Sequence, residues 1–105
     1  MPELHKGITS YTLALTSGHE NYDATAFLRD AGGKVIGAAT FVRAGKIIPK
    51  PSVNAKDNVL HLYFPSESMS AVLDVLRNEK PLQIEMLGDT AYISTSTMEP
   101  VGEGE

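Results

Sequence analysis

The chain contains no cysteine. That excludes disulfides, thiolate metal sites, iron–sulfur clusters and cysteine nucleophiles, and it fits a reducing compartment. No apolar run approaches the roughly 20 residues that a membrane-spanning helix needs, and the start, "MPELHKG", carries no apolar core of a secretory signal. A cytoplasmic protein with no membrane partner is therefore expected. Aromatic residues are only 7% of the chain, too few for a densely ring-studded surface. Three residue patterns that usually announce catalysis are also missing: there is no Gly-x-Ser-x-Gly, no phosphate loop and no closely spaced histidine pair.

What is present is an ordinary globular composition, 42% hydrophobic and 21% charged, in 105 residues. This length is one domain with one core, with residues 1–6 and 98–105 expected as flexible ends. The formal charge of −4 is unevenly spread. Between Arg29 and Lys56 six bases face one acid, a net of +5, which leaves −9 for the remainder.

Hydrophobic periodicity predicts six strands and one helix. Tyr11, Leu13 and Leu15 alternate with small or polar residues, a half-buried strand. Tyr22, Ala24, Ala26 and Leu28 share one face of a second strand, whose polar face is interrupted by Phe27. "DAGGK" (30–34) is a tight reversal, because glycine accepts positive φ without steric cost. The strand that returns over 34–43 is apolar on both faces, with Val35, Ala39 and Phe41 on one and Ile36, Ala38 and Val42 on the other. Such a strand is central in its sheet or lies at a subunit contact. Pro49 and Pro51 make 44–58 a long extended connection. Val59–Phe64 is a fourth strand. In 65–81, Met69, Val72, Leu73 and Leu76 fall on one helical stripe, Ser66 or Ser68 is placed to cap it, and Pro81 stops it. Leu82, Ile84 and Met86 mark a fifth strand, "LGDT" a turn, and Ala91–Ser96 a sixth.

The expected fold class is α+β: a curved, mainly antiparallel six-stranded sheet in the order β-β-β-β-α-β-β, with one amphipathic helix packed on it and scope to curl into a barrel. Six strands make a sheet about 25 Å wide, whereas one helix is only about 10 Å across. The surplus apolar face calls either for curling or for a second subunit, and a homodimer is the expectation. The order of four strands before a helix resembles that of the transcription-coactivator and Whirly-type single-strand DNA binders. The resemblance is in topology alone, implies a sheet-plus-helix dimer, and carries over no residue role.

Candidate chemistry is sparse. His5, His19 and His61 are isolated in the sequence, so no metal set and no cofactor is expected. Asp23 lies beside Tyr22 and Phe27, where a raised pKa would suit a general base, although a solvated carboxylate on the strand face is the plainer reading. The segment "RAGKIIPKPSVNAK" (43–56) holds Arg43, Lys46, Lys50 and Lys56 and no acid. With Arg29 and Lys34 from the neighbouring hairpin these form a candidate anion or nucleic-acid site, for which Phe27, Phe41, Tyr11 or Tyr63 would be stacking platforms. The plainer reading is a solvated connection whose charges blunt a sheet edge. The sequence thus predicts a small binding or interaction domain rather than an enzyme. The alternatives are single-stranded nucleic-acid or polyanion binding through 43–56, and a small-molecule enzyme with its pocket inside a curled sheet.

Overall fold

A computed structural model describes residues 3–95. Eight strands and one helix follow in the order β1 (Glu3–Ile8), β2 (Ser10–Leu15), β3 (Tyr22–Arg29), β4 (Val35–Val42), β5 (Ser52–Val53), β6 (Leu60–Pro65), a 3₁₀ turn (Ser66–Ser68), α1 (Met69–Asn78), β7 (Leu82–Leu87) and β8 (Thr90–Thr95). The fold class is α+β, but the single six-stranded sheet is replaced by two sheets, ordered β1-β7-β8 and β2-β3-β4-β6-β5, and neither closes into a barrel.

The two strands absent from the sequence reading explain the difference. β1, "ELHKGI", has charged residues and a glycine where alternation would be sought, and its first four residues fall in the N-terminal end 1–6 that was expected to be flexible. Its strand conformation comes from antiparallel pairing with β7, Leu4 opposite Met86 and Ile8 opposite Leu82. β5 is only two residues long, inside the Pro-rich connection, and pairs Val53 with Leu60. That connection runs past the end of β6 and returns, so β4 and β6 lie parallel. The six strands before the helix and this parallel pair also depart from the four-strand order that resembled the single-strand DNA binders. The expected strand residue Ser96 and the expected flexible segment 98–105 lie outside the described residues.

The core lies between the layers. Ala24, Ala26 and Leu28 of β3, Ala39 and Phe41 of β4, and Leu60 and Leu62 of β6 face Ile84 and Met86 of β7, all buried. Met69, Val72 and Leu76 of α1 pack against the same cluster, and Leu73 is buried, so the expected helical stripe is the packing face. A Cβ at Gly37 would stand 2.9 Å from Ile84 Cδ1 and 3.3 Å from Leu28 Cδ1. A glycine there lets β7 approach the larger sheet. The surplus apolar face inferred from the sequence is therefore covered by a second sheet as well as by the helix.

Two irregularities shift side chains from their expected faces. The β3–β4 register slips between Leu28 and Arg29, which sends Ile36 into the core with Ala39 and Phe41. It slips again between Tyr22 and Ala24, which separates Tyr22 from the core row Ala24–Ala26–Leu28. The "DAGGK" reversal forms as expected: Asp30 Oδ1 accepts from the amides of Gly32 and Lys34, both at 3.0 Å, and Gly33 takes φ +84°.

Candidate functional site

β4 is the middle strand of the larger sheet, and its inner face is filled by the core. Its outer face carries none of the core-cluster row of Ala39 and Phe41, and the 3₁₀ turn Ser66–Ser68 lies against β3 and β4. On that outer face Ala38, Thr40 and Val42 form a floor of small and medium side chains. The pairing places Phe27 beside Ala38 and Thr25 beside Thr40 on one flank, and His61 beside Ala38 and Tyr63 beside Thr40 on the other. Phe27, His61 and Tyr63 are each half-buried, and they shield the floor so that Ala38 is only 5% and Thr40 only 7% exposed. The two floor hydroxyls meet, Thr25 Oγ1 lying 3.3 Å from Thr40 Oγ1. The surface is a shallow ring-walled trough along one strand.

Tyr22 closes one end of the trough. Its register partner is Val42, and its ring centroid lies 6.3 Å from that of Tyr63. His19 stacks on Tyr22 at 4.6 Å and closes the 16–21 turn, its Nδ1 accepting from the amides of Asn21 (3.0 Å) and Tyr22 (3.2 Å). Removal from water and the neighbouring Tyr22 push the Tyr63 hydroxyl above its ordinary pKa. Beyond Tyr22 lies an open groove of about 570 Å³ lined by Asn21, Tyr22, Gly45, Lys46, Ile47 and Pro49. Ile47 is 91% exposed there, an unusual position for a branched apolar side chain.

Asp23 sits at this end in a different role from the one its neighbours suggested. The Ser66 hydroxyl, and next the Arg43 guanidinium, hold its carboxyl below the usual range, against a smaller opposing effect of desolvation. Arg43 Nε lies 3.1 Å from Asp23 Oδ1. A carboxylate held ionised in this way is a poor general base at neutral pH. It instead joins β3, the end of β4 and the 3₁₀ turn.

The six candidate anion-binding cations do not form one patch. Arg29 donates to Gly33 O (3.0 Å) and Thr12 Oγ1 (3.4 Å), and exposed Lys34 is beside it in the hairpin. Lys56 lies in the turn before β6, whose first residue pairs with Gly37, so it belongs to this same end of the sheet. Arg43 and Lys46 are at the opposite end, about 25 Å away along the eight residues of β4. Arg43 is engaged by Asp23, and Lys50 Nζ stands 3.9 Å from Asp89 Oδ2.

The expected stacking candidates divide in the same way. Phe41 is in the core and Tyr11 packs against it, whereas Phe27 and Tyr63 face outward. His61 is on the outer surface, as its alternation with Leu60 and Leu62 indicates, whereas periodicity placed Tyr22 with the core row Ala24, Ala26 and Leu28. The other signals of this surface were the interruption of the β3 polar face by Phe27 and the doubly apolar β4. No group of three or more His, Asp or Glu residues placed to hold a metal occurs among the described residues, and none of their helices is long and apolar enough to cross a membrane. Comparison with family models, with curated proteins and with solved structures finds no match.

Proposed function

We propose that the protein is a small binding domain and that it makes its contacts on the outer face of β3, β4 and β6. The observation that carries this reading is a central strand whose outer row of small side chains is flanked by the half-buried rings of Phe27, His61 and Tyr63 and closed by Tyr22. A flat or extended ligand lies along such a trough, contacting rings at its sides and small side chains at its base. Catalysis has less support, because Asp23, the acid at the trough's end that the sequence singled out, is committed to Ser66 and Arg43.

A second reading, single-stranded nucleic acid, is favoured by the layout of rings between two cation groups. Bases stack on open-sheet aromatics while phosphates reach toward Lys46 at one end and Lys34 and Lys56 at the other. The net charge of −4 weighs against it.

Amide shifts of the ¹⁵N-labelled protein, titrated with a short oligothymidylate at low and moderate salt, test both. The expected result is a set of shifts on β3, β4 and β6, with binding at least 10-fold weaker in Phe27→Ala/Tyr63→Ala, given about 1–3 kcal/mol per stacked base. Shifts confined to 43–56 would move the contact to the basic loop. No shifts even at low salt would remove nucleic acid as the ligand. Unchanged affinity in the ring variant would remove the trough as its site.

A further inference from the structure

The larger sheet ends on β2, and among the described residues this edge shows none of the usual protections. Edge strands normally carry lysine, proline or a bulge, or are very short, because their unpaired N–H and C=O groups accept another strand. β5, at the other edge, has two residues and follows Pro51. In the smaller sheet, β1 carries Glu3, His5 and Lys6, with Lys6 Nζ donating to Asn58 O at 3.2 Å. β8 has α1 beside it, Ile93 sharing a cavity of about 180 Å³ with Val72, Val75 and Phe64. β2 reads "SYTLAL", six residues with no charge and no proline.

The register determines which groups β2 offers. The Thr16 amide donates to Asp23 O at 2.9 Å, and an antiparallel ladder alternates every two residues. Ala14, Thr12 and Ser10 therefore bond to β3, while the backbone groups of Tyr11, Leu13 and Leu15 face outward. These three residues also carry the side chains of the inner face. Leu13 is 38% and Leu15 75% exposed, although the residues they pair with, Ala26 and Ala24, are completely buried. Unused hydrogen-bonding groups and exposed apolar side chains thus occur at the same three positions.

We propose that β2 is a self-association edge, on which two copies of this chain pair antiparallel about a two-fold axis at Leu13. Leu13 then meets the partner's Leu13, and Tyr11 meets the partner's Leu15. About six backbone hydrogen bonds form, and the two five-stranded sheets become one of ten strands. A second copy fits this edge better than a foreign strand does. The three-residue row is apolar in either direction, so the antiparallel partner presents the same chemistry, with no like charges opposed. The axis is normal to the sheet, so both outer troughs lie on the same side of the dimer.

Sedimentation of the intact chain tests the pairing. The expected mass is twice 11.3 kDa, falling to the monomer on dilution. Leu13→Lys, which sets two ammonium groups opposite each other at the axis, weakens the dimer at least 10-fold and leaves the circular dichroism unchanged, since the position is on the surface. Leu87→Lys, at a more exposed leucine on the other sheet (50%), leaves the mass unchanged. Leu13→Cys supplies the chain's single thiol at the axis. The roughly 5.5 Å expected between Cα atoms of a hydrogen-bonded pair suits a disulfide, so mild oxidation gives a covalent dimer. A monomer at about 100 μM would overturn the proposal, as would a dimer that survives Leu13→Lys or is broken by Leu87→Lys.

Discussion

At the scale of single residues, the environment of Asp23 determines its chemistry more than its sequence neighbours do. Two aromatic neighbours suggested a carboxyl with a raised pKa. In the fold, the Ser66 hydroxyl and Arg43 lower it instead. A carboxyl whose pKa is depressed on folding stabilises the native state above its unfolded value, about 3.9, and that contribution is lost as pH falls through the folded value. The native chain is therefore expected to lose stability below about pH 4, and Asp23→Asn to flatten that part of the profile. Urea unfolding at pH 5 and pH 3 checks this. Ser66→Ala should bring the Asp23 titration, followed by carboxyl NMR, back toward the ordinary range. Ser66 or Ser68 was expected to cap the helix, so the link of Ser66 to β3 could not be read from spacing.

At the scale of elements, α1 separates two contributions that the sequence presents together. Its apolar stripe is the packing face, and Leu73 is 8% exposed. Its first turn is less conventional. Ser68 occupies the N-cap without a side-chain hydrogen bond, because the 3₁₀ turn Ser66–Ser68 leads into the helix with Ser68 itself in a helical conformation. Leu73→Ala is expected to destabilise the protein by about 2–4 kcal/mol through lost burial and a residual cavity. Ser68→Ala is expected to cost less than about 0.5 kcal/mol, below the roughly 1 kcal/mol of a working serine cap. Equilibrium denaturation of the two variants checks the contrast, and a loss near 1 kcal/mol in Ser68→Ala would restore the capping role.

At the scale of the whole molecule, the two sheets share a single core. Ile84 and Met86 of the smaller sheet lie in the same buried cluster as Leu28, Phe41 and Leu60 of the larger one. The chain also passes from β1 to β2 through Thr9 alone, whose amide donates to Arg29 O at 2.8 Å. Neither sheet can lose its inner face without exposing the other. Unfolding is expected to be one cooperative transition, with far-UV circular dichroism and tyrosine fluorescence coinciding. Two separated transitions would show that the sheets are independent units. The same packing explains why the +5 segment forms no single patch: it runs through the length of β4, so its cations emerge at both ends of the sheet.

Local pattern alone determined the α+β class, the α1 stripe, the "DAGGK" and "LGDT" reversals, and the central place of a strand apolar on both faces, since period, turn chemistry and helix signals reside in neighbouring residues. The positions of β1 and β5 came only from tertiary pairing, because β1 lacks alternation and β5 is too short to show a period. The division into two sheets followed from them, as did the parallel β4–β6 neighbours. The outer trough belongs to the tertiary structure as well. Phe27, Thr40, His61 and Tyr63 come from the β3–β4 hairpin and from β6 farther along the chain, and Tyr22 joins them through a one-residue slip at Asp23. Contact across strands depends on register, and register is decided by which apolar rows the whole core can bury.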